Sequence, residues 1–167
     1  MDDYFELFSL PKVFNIDMSF LESKYIRACT SSHPDHLHDN KAFFISAAEM
    51  SLSKLNDAYQ TLKNPISRAE HLLILLGGFA DHESKQVPEC FLEEIIDLRE
   101  KLADATKLSD RNQLEGIINH KIEQSKNRLA LLFTPPLNSE KKKSLRELLN
   151  QIAYLQSIER EFLQQEE

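Results

Sequence analysis

Residues 29–40 read CTSSHPDHLHDN, a polar stretch that separates two amphipathic helical patterns. Pro34 disfavours helical backbone at the residue before it, and the surrounding Ser, Asp and Asn are typical of turns. The apolar residues that lead into the stretch share one side of a helix: Leu21, Tyr25, Ala28 and Cys29, the first residue of the stretch. Those after it recur at steps of three and four on a helix that begins near Lys41: Phe44, Ala48, Leu52, Leu55, Tyr59 and Leu62. The stretch therefore predicts the turn of a helical hairpin.

The flanking sequence extends this hairpin into a small domain. A short helix is predicted from about Asp3 to Leu7, and Asn15 or Asp17 offers an N-cap for the helix before the turn. The pair Asn64-Pro65 ends or kinks the helix after the turn. A further short helix, ISRAEHLLILL, ends at Gly77-Gly78.

The second half of the chain predicts three longer helices. The first begins at Pro88, the second near a Ser109-Asp110 cap, and the third runs from about Ser139 to Gln164. Short connections between them indicate an antiparallel bundle. We therefore predict an all-α chain with an N-terminal domain at 1–76, a linker at 77–87 and a helical bundle at 88–167.

Composition excludes several classes of partner. The 167-residue chain has a net charge of -7, whereas nucleic-acid binding needs a basic surface, and the lysine run at 141–143 is predicted to be a solvated helix start. No apolar run approaches the ~20 residues that span a bilayer, and the N-terminus has no signal-peptide pattern. Two isolated cysteines fit a reducing compartment. A cytoplasmic, bacterial protein is expected.

The polar stretch also contains possible ligands for a metal or a proton. His33, His36 and His38 lie close to Asp35 and Asp39. Their spacing is not diagnostic of a metal site, and the chain has no activated-nucleophile motif or phosphate-binding glycine loop. The sequence therefore predicts no metal and no cofactor. An enzyme or metal protein that uses this cluster is the alternative from another functional class.

Several segments together resemble a known family. The tripeptide His33-Pro34-Asp35 between the two helices, preceded by DYFELFSLP and followed by AYQTLKNPISRAEHLL, resembles the J-domain of DnaJ-type co-chaperones. The segments YFELF, LNDAYQTLKNPISRAEHLL and FLEEIIDLREKL are similar to the HscB family, the J-proteins of iron-sulfur cluster assembly. The resemblance implies an L-shaped molecule in which a J-domain, a helical hairpin with an HPD loop, is joined to a three-helix bundle. Phe79 and the LLILL run at 72–76 are candidates for the packing between the domains.

The resemblance implies a non-enzymatic co-chaperone with two partners. It would bring an IscU-type scaffold protein to an HscA/DnaK-type chaperone and stimulate the chaperone's ATPase. The residues implied to contact the chaperone are His33, Pro34, Asp35, Lys24 and Arg27. Four positions depart from the family pattern: Ser32 stands where an aromatic residue is usual, and Ile26, Ser31 and His36 stand where basic residues are common. The last three departures make this surface less cationic.

The second domain carries apolar residues outside its predicted core seams. On the helix after Pro88, the seam is Phe91, Ile95, Leu98 and Leu102, whereas Leu92 and Ile96 lie about 100° away. On the last helix, the seam is Leu145, Leu148, Leu149, Ile152 and Leu155, and Tyr154 and Ile158 lie nearly opposite. A wider core, contact with the J-domain, dimer contacts and a partner surface are the possible explanations.

The resemblance favours a partner surface at these positions. It implies that the scaffold protein binds Leu92, Glu93, Ile96, Asp97, Glu100 and Tyr154, although Glu93 replaces a residue that is often apolar. The alternative keeps the J-domain and changes the client, so that the bundle recruits a chaperone to a different protein. A weak homodimer is also possible.

Overall fold

The structure, a computed structural model, describes residues 2–31, 41–78, 86–105 and 107–164, with side chains omitted at residues 31, 41–51, 108, 163 and 164. Across these ranges the regular structure is helical, which confirms the all-α prediction. The helices are α1 (Tyr4–Leu7), α2 (Met18–Ser31), α3 (Lys41–Lys63), α4 (Pro65–Leu75), α5 (Glu89–Asp104), α6 (Leu108–Leu132) and α7 (Ser139–Gln164). None of them is long and apolar enough to cross a membrane.

The chain divides into two compact units, Met1–Leu72 and Leu73–Glu167. The division falls inside α4, ahead of the domain boundary that the sequence predicts after residue 76. Within the LLILL run, Leu72 and Leu73 are buried. Phe79 lies outside the described residues.

Local side-chain hydrogen bonds explain where several helices begin. Asp3 Oδ1 accepts from the backbone N–H of Phe5 and Glu6, and Asp17 Oδ1 accepts from that of Ser19 at 2.9 Å. These bonds satisfy amide groups that have no partner inside the helix. Asp17 is therefore the cap of α2, one of the two residues predicted.

The predicted cap of α6 is wrong. Lys107 occupies the N-cap position without a side-chain hydrogen bond, and Ser109 and Asp110 lie inside the first turn. An acidic residue in the first turn still interacts favourably with the positive end of the helix dipole. The N-cap position and the first turn of a helix favour similar residue types, so the sequence pattern did not show which of the two positions Ser109 and Asp110 occupy.

The core of the N-terminal unit forms where α1 and α2 pack on α3. The predicted α3 seam is confirmed at Leu55, Tyr59 and Leu62, which are buried. The side chains of Phe44 and Ala48 are outside the described set. Arg68 crosses from α4 to the end of α3, where its Nη1 donates to the Leu62 carbonyl at 2.8 Å.

The C-terminal unit is a bundle of α5, α6 and α7, with α6 and α7 in the most extensive contact. The predicted seams are largely buried: Ile95, Leu98, Leu102, Leu145, Leu148, Leu149, Ile152 and Leu155. Leu155 joins Ile158 and Phe162 in the cluster that packs against α5 and α6. This is the hydrophobic core of the bundle.

The structure corrects the prediction that Tyr154 and Ile158 lie on a solvated face. Ile158 is fully buried, and Tyr154 packs partly buried against the same core. The reason is that the buried side of α7 rotates along the helix. Its later turns, which carry Leu155 and Phe162, pack into the cluster with α5. A single seam extrapolated from the earlier turns therefore points in the wrong direction at Tyr154 and Ile158.

The lysine run also differs from its prediction. Lys141 Nζ donates to the Thr134 carbonyl at 2.7 Å, and Lys142 Nζ donates to the Leu76 carbonyl. Two of the three lysines therefore bind backbone carbonyls of the C-terminal unit rather than forming only a solvated helix start.

Candidate partner-binding surfaces

The first candidate surface is the solvent side of α2. Leu21 is buried on the opposite side, and the Tyr25 ring stacks on Tyr59 with centroids 4.1 Å apart. The Tyr25 hydroxyl donates to Asn56 Oδ1 at 2.5 Å. These contacts fix the rotation of α2 against α3, and Arg27 is exposed on the other side.

An aromatic ring positions one of the two predicted cations on α2. The Lys24 ammonium lies over the Phe20 ring, 5.0 Å from its centroid, and Phe20 is 43% exposed. A cation at this distance from a ring is attracted by the ring quadrupole. Ile26, one of the departures from the family pattern, is 56% exposed. The surface therefore combines positive charge with exposed apolar side chains.

The HPD tripeptide is outside the described residues. His33, Pro34 and Asp35 follow α2 in the chain and precede α3, together with Ser32, His36 and His38. Their roles, and the possible ligand cluster among them, stay predictions. In the ranges that are described, no group of three or more His, Cys, Asp and Glu side chains could hold a metal ion.

The second candidate surface is on α5. Leu92 and Ile96 are 37% and 57% exposed, while their seam neighbours Ile95 and Leu98 are buried. Residues four apart lie on one side of a helix, so the two exposed side chains form one apolar patch. The patch does not widen the core, which was one of the explanations that the sequence left open.

Acidic side chains lie along one edge of this patch. Glu93, Asp97 and Glu100 are exposed at spacings of four and three, which places them side by side on α5. The Asp97 carboxylate pairs with Lys101 Nζ at 2.6 Å, and Glu94 pairs with Lys121 of α6. An apolar patch next to polar side chains is a common arrangement in protein interfaces.

Tyr154 is connected to α5 through an aromatic contact. Its ring meets Phe91 edge to face, with centroids 6.3 Å apart and planes at 68°. This contact brings Tyr154 to the N-terminal part of α5, where Leu92 follows Phe91. Tyr154 therefore has a packing role in addition to its predicted role in binding.

Arg99 supports the α5 surface, although the sequence analysis did not identify it. Its Nη2 donates to Ser157 Oγ at 3.0 Å and to Glu161 Oε1 at 2.8 Å, which links α5 to α7. These partners are far from Arg99 in the chain, and no spacing pattern indicates them. Only the packing of the two helices brings the groups together.

Comparison with known proteins identifies the family. A co-chaperone protein HscB homolog from Shewanella sp. (strain W3-18-1) is 34% identical over 141 residues, which cover 83% of this chain and 80% of the relative. The chain belongs to the HscB family of co-chaperones. A family model described as the HSCB C-terminal oligomerisation domain also matches residues 87–162.

Solved HscB structures have the same fold. Human co-chaperone protein HscB matches with a TM-score of 0.84 and 26% identity, over 99% of this chain and 83% of that chain. Chaperone HscB from Vibrio cholerae matches with a TM-score of 0.76 and 28% identity, over 99% of this chain and 98% of that chain. The predicted resemblance to the HscB family is confirmed, as is the predicted fold of a J-domain followed by a helical bundle.

Proposed function

We propose that this HscB-family chain binds an IscU-type scaffold protein, brings it to an HscA/DnaK-type chaperone and stimulates that chaperone's ATPase, as part of iron-sulfur cluster assembly. The chain catalyses no reaction in this proposal. Its similarity to HscB co-chaperones over most of both chains is the observation that carries the proposal. The two surfaces on α2 and α5 support it because they offer separate positions for the two partners.

On the chaperone side, the proposed contacts are mainly electrostatic. Lys24 and Arg27 place positive charge on α2, which complements an acidic partner surface. Pro34 restricts the HPD backbone, so less conformational entropy is lost on docking. The Asp35 carboxylate can accept charge-assisted hydrogen bonds from a cationic partner group, each worth about 1.5 to 3 kcal/mol.

Steady-state ATPase stimulation tests the chaperone side. We expect the Asp35→Asn variant to keep the wild-type far-ultraviolet circular dichroism spectrum and to lose most of its stimulation of a purified HscA/DnaK-type chaperone. The amide removes the negative charge with little change in size. Stimulation by Asp35→Asn at the wild-type level would contradict the proposed role of this residue.

On the client side, Leu92 and Ile96 are proposed to enter an apolar site on the scaffold protein, with the acidic side chains of α5 at its edge. The exposed carboxylates of Glu93 and Glu100 favour basic residues on that partner. Burial of an apolar side chain contributes about 1 kcal/mol or more to association. Truncation of both residues to alanine should therefore weaken binding about 30-fold.

Affinity capture with a purified IscU-type scaffold protein tests the client side. The expected result is weaker capture by the Leu92→Ala/Ile96→Ala variant and unchanged capture by Val13→Ala, which truncates a residue 45% exposed in the N-terminal unit. The Tyr154→Phe variant keeps the ring contact with Phe91, so it tests whether the hydroxyl group alone contributes to capture of the scaffold. If the scaffold is not captured, or if the double variant captures as much of it as the wild type does, the result favours the alternative in which the bundle recruits the chaperone to a different client protein.

Weak self-association is also proposed. The matched family model is described as an oligomerisation domain and covers α5, α6 and most of α7. Exposed apolar residues on α6, Ile117 at 39% and Leu131 at 70%, are available for such a contact. Sedimentation equilibrium over a range of protein concentrations tests whether any dimer forms.

A further inference from the structure

Two side-chain contacts between α5 and α7 flank the apolar patch of Leu92 and Ile96. Phe91 meets the Tyr154 ring edge to face just before the patch, and Arg99 binds α7 just after it. Phe91 and Arg99 are eight residues apart, which is about 12 Å along the helix axis. The patch therefore lies on a segment of α5 that is held against α7 at both ends.

The two contacts restrain the helices to different degrees. Edge-to-face aromatic pairs occur over a range of centroid distances, from about 4.5 to 7 Å. Hydrogen bonds weaken steeply outside their preferred distances and angles, and the guanidinium donors have a fixed planar geometry. Arg99 Nη2 donates to Ser157 Oγ at 3.0 Å and to Glu161 Oε1 at 2.8 Å. Arg99 is therefore the more restrictive of the two contacts.

The partners of Arg99 share one side of α7 with Tyr154. Ser157 and Glu161 follow Tyr154 by three and seven residues, and both spacings return to nearly the same side of a helix. On α5, Arg99 has the same two spacings from the residues of the apolar patch. Its bonds therefore connect the side of α7 that carries Tyr154 with the side of α5 that carries the patch.

We infer that Arg99 is a positioning residue for client binding, because its bonds to Ser157 and Glu161 hold the Tyr154 ring in place beside the apolar patch. The inference rests on the proposed binding of a scaffold protein and requires no contact between Arg99 and that protein. The Arg99 and Glu161 side chains are 45% and 44% exposed, so their ion pair contributes little to stability. Loss of the pair should therefore weaken client binding in a chain that stays folded.

Exchange of the two charges separates positioning from a direct contact with the client. Arg99→Glu alone and Glu161→Arg alone place like charges together, and each should weaken capture of a purified IscU-type scaffold protein about fivefold. The Arg99→Glu/Glu161→Arg double variant forms a reversed ion pair, and the Ser157 hydroxyl can donate to the introduced carboxylate. This double variant should restore capture.

The sign of the effect in Arg99→Glu is informative. A further negative charge on α5 by itself favours binding of a basic partner surface. Weaker capture by Arg99→Glu would therefore report a displaced binding surface rather than a change in attraction between charges. Arg99→Met, which removes the ion pair without introducing repulsion, should weaken capture to a smaller extent.

Tyr154 also reports its own position when no client is present. It is the only tyrosine beyond residue 59, so comparison with Tyr154→Phe assigns its ring signals in NMR spectra. Arg99→Glu and Glu161→Arg should each shift these signals, because the Tyr154 ring moves relative to the Phe91 ring. The double variant should return the signals to their wild-type positions.

Lys121→Glu is the matched control. Lys121 of α6 forms an ion pair with Glu94 of α5, and the two side chains are 33% and 38% exposed. The substitution therefore breaks a comparable pair between helices with the same change in net charge as Arg99→Glu. It should leave both the capture of the scaffold and the Tyr154 signals as in the wild type.

The outcomes distinguish this inference from the proposed function. Tyr154 signals that stay unchanged in both single variants, or that Lys121→Glu shifts equally, would contradict the positioning role. If the double variant restores the signals but not capture, the Arg99 charge itself binds the client, which also contradicts that role. A wild-type chain that captures no scaffold would contradict the proposed function, whereas the Tyr154 signals decide in either case whether Arg99 positions the ring.

Discussion

Acidification should destabilise the N-terminal unit through His71 of α4. This side chain is 2% exposed, and its Nε2 accepts the Tyr4 backbone N–H at 3.1 Å. Its ring stacks on Tyr4, with centroids 4.4 Å apart and planes at 15°, and the buried Nδ1 has no hydrogen-bond partner among the described residues. Burial lowers the pKa of His71, and the nearby Asp3 carboxylate opposes this shift. The neutral His71 ring therefore links α4 to α1 through its hydrogen bond and its stacking contact with Tyr4.

The direction of the pKa shift sets the direction of the effect. Because the pKa is lower in the folded chain, the unfolded chain binds the proton more tightly. The stabilising contribution is therefore present above the ordinary pKa of 6.5 and is lost as pH falls through the folded value. One proton gives a slope of at most about 1.4 kcal/mol per pH unit. Protonation also makes Nε2 a donor that faces the Tyr4 N–H, so a hydrogen bond worth about 1 kcal/mol is lost.

Urea unfolding of the wild type and a His71→Phe variant measures this contribution. Phenylalanine keeps an aromatic ring in the stack but neither accepts the Tyr4 N–H nor titrates. Tyrosine fluorescence reports mainly on the N-terminal unit, because three of the four tyrosines lie there and the chain has no tryptophan. At about pH 8 the variant should be less stable by about 1 kcal/mol, and the difference should shrink as the pH falls below about 6.5.

The comparison between variants isolates His71 because other titrating groups contribute similarly to both proteins. His120→Asn, at an exposed histidine of the C-terminal unit, is the control and should leave the tyrosine-monitored transition unchanged. A difference between wild type and His71→Phe that stays constant across this pH range would refute the reasoning. It would mean that the histidine does not change its protonation on unfolding.

Three further predictions concern the stability of the C-terminal unit. Gly116→Ala should raise the free energy of unfolding by about 0.5 to 1 kcal/mol, because this helix-interior glycine has open space around a Cβ. Gly78→Ala should lower it, because the new Cβ would overlap the Leu73 side chain and lie 2.8 Å from the Leu73 carbonyl oxygen. Thermal melts followed by circular dichroism compare the two variants. Arg99→Met should lower the free energy of unfolding by about 0.5 kcal/mol, because the ion pair that it removes, with Glu161, is about half exposed. The loss should be smaller at high salt, which screens an exposed ion pair. An equal loss at low and high salt would contradict this account of Arg99.

Local chemistry made most helix positions predictable. Proline, glycine and capping aspartates act within a few residues of the chain, so the start of α3 at Lys41 and the limits of α7 at Ser139 and Gln164 match the expectation. The exposed Leu92 and Ile96 also follow from helical periodicity, because the buried seam of α5 keeps one direction. The prediction of the α6 cap failed because neighbouring positions at the start of a helix favour similar residues.

The environment of Tyr154 and Ile158 was not predictable from one helix alone. A helical wheel assumes that the buried direction is constant, whereas the later turns of α7 pack into the core with α5 and α6. Arg99 was missed for a related reason, since Ser157 and Glu161 approach it only after α5 and α7 have packed. The same applies to His71, whose partner Tyr4 lies at the other end of the N-terminal unit's sequence.

The sequence by itself determined the all-helical fold, the two exposed apolar residues of α5 and the resemblance to the HscB family. These depend on periodicity, turn chemistry and short motifs, which act along the chain. Only the tertiary structure decided that Ile158 is a core residue, that Arg99 links α5 to α7, and that His71 holds α1 on α4. Burial and hydrogen bonding between distant residues depend on how the helices pack, and that packing brings together groups whose separation in the sequence carries no signal.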